Sequence, residues 1–154
     1  MPLSDCPRFP LFVSLEGRRV LLAGSGPVAL RRARALLPFG CRVVVAAPGA
    51  LPELQELARA GQLDLLPRPF EDSDLTGAAL CVAATDDRAV NRRIGQLARG
   101  LGIPVSVADA AEECTFFFPA VVRAPQGVVG ICGSGKNHAG VKALAQQIRK
   151  LVEP

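Results

Sequence analysis

Val20-Leu21-Leu22-Ala23-Gly24-Ser25-Gly26-Pro27-Val28-Ala29 is the stretch whose reading decides the fold. An apolar run with the character of a buried strand stops at Gly24, and a helical pattern takes over from Pro27. Together they carry G-x-G-x-x-A, with Ala29 in the place of a third glycine. Gly24 permits the sharp reversal, Gly26 lets an anion come against bare backbone, and Ala29 lets the helix pack close to the strand. Pro27 suits the first helical position, whose N–H has no partner in any case. The free N–H groups and positive dipole end that follow offer a seat to phosphate. A purely structural strand-to-helix turn has the same signature. The motif's place at the head of a strand–helix–strand succession favours a dinucleotide.

Working outward, the first strand is expected over about Arg19 to Ala23 and the first helix from Pro27 to about Leu37, stopped by Pro38 and Gly40. Upstream, Phe9-Pro10-Leu11-Phe12-Val13 is an apolar lead-in expected to pack beside the first strand. Downstream, strands are expected at Arg42 to Ala46, Leu63 to Leu66, Ala79 to Ala83 and Ile103 to Ala108. Between them lie a helix from about Pro52 to Ala60, a short turn of helix at Glu71 to Leu75, and a clear helix with Val90, Ile94, Leu97, Ala98 and Leu101 at helical spacing. This alternation predicts an α/β fold, a Rossmann-type, mostly parallel sheet with helices on both faces.

After Asp109 the pattern changes. Phe116 to Arg123 and Val128 to Ile131 read as two strands of a hairpin around Ala124-Pro125-Gln126-Gly127. A second glycine-rich turn, Gly133-Ser134-Gly135-Lys136-Asn137, precedes a last helix with Val141, Leu144, Ala145, Ile148, Leu151 and Val152 on one face. The expected division is a dinucleotide-binding domain over 1–112 and a small α+β segment over 113–154. The apolar face of the last helix needs either the sheet or another subunit to cover it.

Composition narrows the function. Of 154 residues, 49% are hydrophobic, enough for a sizeable core. No apolar run reaches the roughly 18 to 20 residues of a membrane span, and Met1 to Asp5 lacks the features of a signal peptide. A soluble, cytosolic protein with no membrane association is expected. Cys6, Cys41, Cys81, Cys114 and Cys132 show no C-x-x-C spacing, so they read as small buried residues or free thiols, with no metal ligand expected. The net charge of +4 is dispersed and aromatics make up only 5%, which argues against nucleic acid as a partner. A basic surface suits an anionic cofactor or a polycarboxylate substrate equally well.

Candidate chemistry lies where strands end, because ligands of open parallel sheets bind outside the carboxyl ends. Three stretches fall there: Gly24 to Pro27, Ala84 to Asp87, and Asp109. The second strand ends Ala46-Ala47-Pro48, without the acidic residue that usually grips the adenosine ribose, so backbone and van der Waals contacts must serve there. Thr85 either lines a cofactor site or belongs with Asp86-Asp87 to a helix cap. Asp109 is either a proton acceptor or, with Glu112 three residues on, part of a capping box. Lone His138 reads as a solvated loop residue. Gly133 to Asn137 either holds a substrate carboxylate or is a plain turn.

Taken together, Phe9-Pro10-Leu11-Phe12, Gly24-Ser25-Gly26-Pro27-Val28-Ala29 with Arg31-Arg32-Ala33, Ala83-Ala84-Thr85-Asp86-Asp87, Val107-Ala108-Asp109 and Cys114-Thr115-Phe116-Phe117-Phe118-Pro119-Ala120 resemble the precorrin-2 dehydrogenase family in order and spacing. That family includes the amino-terminal module of siroheme synthases. The resemblance implies NAD as cofactor and oxidation of precorrin-2 to sirohydrochlorin, with iron insertion into the product as a second activity of some members. It implies Asp109 as the catalytic residue and a cofactor site made of Gly24, Ser25, Gly26, Pro27, Val28, Ala47, Pro48, Ala84 and Thr85. Ser134, Lys136 and Asn137 are the expected substrate contacts, and family members are homodimers joined through the segment after the Rossmann domain. The chain departs from the family where Gly135-Lys136-Asn137-His138-Ala139 stands in place of Gly-Gly-x-Ser-Pro, and the helical carboxyl-terminal domain of longer members is expected to be absent. The competing readings are a nucleotide-sensing module that turns nothing over and a chelatase that uses the fold as scaffold only.

Overall fold

Five short apolar runs lie side by side as β1 (Arg19–Ala23), β2 (Arg42–Ala46), β3 (Asp64–Leu66), β4 (Ala78–Ala83) and β5 (Val105–Val107) in the computed structural model, which describes residues 8–135 and 137–152. All neighbours are parallel, in the order β3-β2-β1-β4-β5. Runs such as Val20-Leu21-Leu22 and Val43-Val44-Val45 are buried residue after residue, as strands covered on both faces must be. The connections carry α1 (Pro27–Leu36), α2 (Pro52–Arg59) and α3 (Arg88–Gly100). From the central strands, β1 leads to β2 in one direction and β4 to β5 in the other. Right-handed crossovers therefore put α1 and α3 on opposite faces. Leu21, Ala23, Val44, Ala46, Cys81, Ala83, Val105 and Val107 pack with Ile94 and Ala98 of α3. Burial pushes the Cys81 thiol up to about 12, so this cysteine behaves as a core apolar residue.

Two further details hold this unit, residues 14–116, together. The 3₁₀ turn Asp72–Leu75 is clamped by Arg68, whose guanidinium bonds both oxygens of buried Asp74 at 2.9 and 2.8 Å. That hydrogen bond holds the Asp74 carboxyl below the usual carboxylate range. Before β5, Gly102 (φ 69°) turns the chain out of α3 and donates to the Arg99 carbonyl at 3.1 Å.

The second unit consists of residues 8–13 and 117–152. Here β6 (Ala120–Ala124) and β7 (Gly127–Ile131) form the antiparallel hairpin, and α4 (His138–Val152) packs on β6 with Ala145 buried and Arg149 reaching the Val121 carbonyl at 3.4 Å. The first hairpin strand begins at Ala120 and not at Phe116, because Pro119 just before it has no N–H for a ladder. The lead-in also corrects its expectation: Phe9 to Val13 group with this unit and not beside β1, and Phe9 is 89% exposed. Leu144 and Leu151 on α4 are exposed as well, Leu151 to 83%. Among the described residues no helix is long and apolar enough to cross a membrane.

Candidate functional site

The two glycines of the first turn do different work. Gly24 has φ 113°, and a Cβ there would stand 2.1 Å from the Ala84 carbonyl oxygen and 2.9 Å from the Thr85 nitrogen. Its N–H donates to the Ala46 carbonyl at 3.0 Å, while the Ala84 N–H donates to the Ala23 carbonyl at 2.8 Å. The end of β1 is thus wedged between the ends of β2 and β4, where the strand order reverses, and only glycine fits. Gly26 has an ordinary extended backbone (φ −85°, ψ −168°), and a Cβ built on it would meet nothing within 4 Å. Nothing in this unit requires Gly26 to lack a side chain, which leaves bare space in front of a helix.

That helix end is open. Gly26 caps α1 without a side-chain hydrogen bond, Pro27 opens the first turn, and the first helical bond runs from the Leu30 N–H to the Gly26 carbonyl at 3.0 Å. The N–H groups of Val28 and Ala29 precede that bond and point out of the helix. Gly26, Pro27 and Val28 therefore form a cradle that suits a pyrophosphate. Ser25 acts as a tie: its hydroxyl donates to the Gly49 carbonyl, and its own carbonyl accepts from the Leu51 N–H at 3.4 Å. Beyond β2 a depression of about 340 Å³ is lined by Ala47, Pro48, Gln55, Arg59 and Leu65 among others, with no carboxylate in the lining. Its lining offers apolar surface, the Gln55 amide and one guanidinium.

At the exits of β4 and β5, Thr85 and Asp109 are joined through Asn91 of α3. The Asn91 amide is 1% exposed. Its Oδ1 accepts from the Thr85 N–H at 3.0 Å and the Thr85 hydroxyl at 2.6 Å, and its Nδ2 donates to the Thr85 carbonyl and to Asp109 Oδ2, both at 3.0 Å. Asp109 Oδ1 faces Arg88 at 3.3 Å, and Arg88 also pairs with Glu113. That bond to Glu113, with Asp109 and Glu112 close by, holds the Arg88 guanidinium above its ordinary value and fully charged. The loop carrying Asp109 is closed behind it, for the Val107 N–H donates to Cys114 Sγ at 3.1 Å and the Val105 N–H to Thr115 Oγ1 at 2.8 Å.

Both capping alternatives are resolved. Asp87 caps α3, accepting from the Ala89 and Val90 N–H groups at 2.8 and 3.2 Å, and Thr85 serves both sides, its hydroxyl accepting from the Asp87 N–H at 3.2 Å besides its bonds to Asn91. Asp109 caps nothing: the 3₁₀ turn Ala111–Glu113 starts from Ala110 without a side-chain cap, so the capping-box spacing goes unused. Asp109 keeps 39% of its side chain exposed, with two partners drawn from α3.

Within the larger unit the turn at Gly24 meets Ala84 and Thr85 directly, and Asn91 brings Asp109 to them. Ser134 and Asn137 belong to the other unit, and Lys136 lies outside the described residues. Ser134 is exposed, while Asn137 Oδ1 accepts from the Gly140 N–H at 2.7 Å and so caps α4. Sequence reasoning missed Asn91, Arg88 and Glu113. A signal existed for Asn91: it falls three residues before Ile94 and seven before Ala98, on the buried stripe of α3, where a polar residue needs partners.

Comparison with known proteins agrees with this geometry. Residues 11–120 match the sequence model of a family described as "Putative NAD(P)-binding". The chain is 45% identical over 144 residues to a siroheme synthase of Ectopseudomonas mendocina and 41% identical over 144 residues to one of Stutzerimonas stutzeri; each match takes in 94% of this chain and 30% of the relative. The chain thus spans under a third of the length of the curated relatives it matches. Among solved structures, "SirC, precorrin-2 dehydrogenase" superposes with a TM-score of 0.78 at 25% identity, over 94% of this chain and 71% of that one. The wedge at Gly24 and the open helix end at Gly26 lie within the matched stretch, and the chain belongs to this NAD(P)-binding family.

Proposed function

We propose that this chain oxidises precorrin-2 to sirohydrochlorin with NAD as cofactor, on the route to siroheme. One observation carries the reading: a half-exposed carboxylate, Asp109, is fixed at the exit of β5 by the same amide that fixes the Thr85 turn of the dinucleotide site. The similarity to siroheme synthases and to a precorrin-2 dehydrogenase of known structure supports it. Gly26, Pro27 and Val28 would hold the pyrophosphate, Ala47 and Pro48 the adenosine, and Ala84 and Thr85 the nicotinamide half. Bound there, the nicotinamide supplies acceptance of a hydride from the substrate.

The chain's own residues deal with the proton released alongside that hydride. A carboxylate offers about four lone-pair sites. Asn91 occupies one on Oδ2 and Arg88 one on Oδ1, so Asp109 keeps acceptor capacity toward its open side. Ser134, Lys136 and Asn137 are proposed to meet carboxylates of the tetrapyrrole. We also propose that the cofactor domain is the unit of residues 14–116, in place of the expected 1–112, and that the segment after it joins two copies, each covering apolar residues such as Leu144 and Leu151. A monomer by sedimentation at micromolar concentration would remove that part of the reading.

The test is an anaerobic assay with precorrin-2 and NAD, following NADH and sirohydrochlorin by absorbance. Asp109→Ala is expected to lower turnover by about 10²- to 10⁴-fold, the range a positioned general base supplies, with the variant still folded and binding NADH. Tight NADH binding by the unsubstituted protein without turnover would leave a sensor. Iron insertion without any dependence on NAD would leave a chelatase.

A further inference from the structure

We propose that Asn91 is the positioning residue of this site, the one amide that sets the Thr85 turn and the Asp109 carboxylate in a single frame. The inference deepens the reading that Asp109 takes the proton and Thr85 lies along the dinucleotide. It starts from valence. An asparagine amide has two lone pairs and two N–H donors, and Asn91 uses all four, on Thr85 N–H, Thr85 hydroxyl, Thr85 carbonyl and Asp109 Oδ2. The Thr85 N–H can only donate, which settles which end of the amide is the oxygen. At 1% exposure no water can replace a lost partner, so any rotation of the side chain leaves a buried polar group unpaired.

Position adds to valence. The ladder between β4 and β5 ends at Ala83 and Val107, with one more bond from the Ala108 N–H to the Ala83 carbonyl at 2.9 Å. Beyond it the two exits diverge. Asn91 takes both the N–H and the carbonyl of Thr85, as a neighbouring strand would, and then hands its last donor to Asp109. Arg88, three residues earlier and on the same side of α3, holds the other carboxylate oxygen. The first turns of one helix therefore fix both oxygens of Asp109.

Stability accounts for the bonds to Thr85, whose N–H and carbonyl would lose this partner if position 91 were apolar like Ile94 and Ala98. It does not require the bond to Asp109, whose side chain is 39% exposed and open to water. Nor does the bond to Asp109 serve the 3₁₀ turn that follows, which has no side-chain cap. What the amide adds is a fixed relation between a cofactor-side turn and a carboxylate.

Asn91→Asp discriminates. It keeps shape and the acceptor for the Thr85 N–H and hydroxyl, and replaces the donor shared by the Thr85 carbonyl and Asp109 with a second carboxylate oxygen. The KM for precorrin-2 is expected to stay within about twofold, as for a change that removes no substrate contact. With both ligands saturating, kcat should fall by about 10²-fold, the low end of general-base catalysis. Added to Asp109→Ala, the same change should cost no more than about a further twofold, because the two residues act as one unit. A kcat near that of the unsubstituted protein, or losses that multiply in the double variant, would overturn the proposal.

A second arm needs no turnover. Thr85→Val removes a hydroxyl on the side of Asn91 away from Asp109, and it should move the ¹³C resonance of the Asp109 carboxyl. In an Asn91→Ala background, or Asn91→Ser should the alanine variant not fold, Thr85→Val should leave that resonance where it is. A resonance indifferent to Thr85→Val beside Asn91, or equally responsive in both backgrounds, overturns the frame. If the coupling is present but the unsubstituted protein does not oxidise precorrin-2, the functional reading falls and the frame stands.

Discussion

The tripeptide Gly-Ser-Gly occurs twice, at 24–26 and at 133–135, each time before a helix, and the two copies behave differently. In the first copy the positive φ falls on Gly24, whose missing Cβ is demanded by the Ala84 backbone. In the second it falls on Gly135 (φ 88°), where a Cβ would meet nothing within 4 Å. The first copy is followed by Pro27-Val28-Ala29, none of which carries a capping side chain, so the N-terminus of α1 stays open. Asn137 follows the second, and its side chain closes the N-terminus of α4 on the Gly140 N–H. The same three residues thus precede an open helix end in one place and a capped one in the other, and what decides is the residue type at the helix start.

The sharpest way to break this comparison is to separate the fold's glycine from the ligand's glycine within the first copy. Gly24→Ala puts a Cβ 2.1 Å from a backbone oxygen at a φ of 113°, so something must shift. A loss on the order of 3 kcal/mol or more is expected, combining left-handed backbone with overpacking, and denaturant unfolding reads it. Gly26→Val meets open space and should cost about 1 kcal/mol or less, the difference between glycine and a poor N-cap. Its branched side chain stands in front of the Val28 and Ala29 N–H groups, so NADH affinity should fall by about 10- to 100-fold, the worth of a hydrogen bond to charge. Equal stability losses at the two positions, or unchanged NADH binding by Gly26→Val, would erase the distinction.

The distinction also marks how far the sequence could be read. The bounds of β1 and β2 follow directly from Arg19 to Ala23 and Arg42 to Ala46, because a continuous apolar run between turn residues is a local property. The turn Ala124 to Gly127 was equally local. Asn91 was not: its partners are 6 and 18 residues away, and they converge only because β4 and β5 lie side by side with α3 crossing between them. Asp109 carried two local meanings, and the sequence alone could not choose, since the deciding bonds come from α3. The lead-in at Phe9 to Val13 was misplaced for a related reason, for an apolar segment states that it needs cover without stating which surface gives it.

The second copy supplies the smallest effect. If Asn137 closes the start of α4, Asn137→Ala removes one acceptor from an exposed helix end and should cost about 1 kcal/mol, read as a lower midpoint in urea. Asn137→Asp keeps that acceptor, adds a negative charge beside the positive end of the helix, and should restore the midpoint. The aspartate nevertheless removes the amide donor that a substrate carboxylate would use. If that proposed contact exists, Asn137→Asp raises the KM for precorrin-2 while kcat is unchanged, the pattern of binding lost equally from ground and transition states. Restored stability with an unchanged KM would make the second Gly-Ser-Gly a structural turn and nothing more, and would leave the first as the one that meets a ligand.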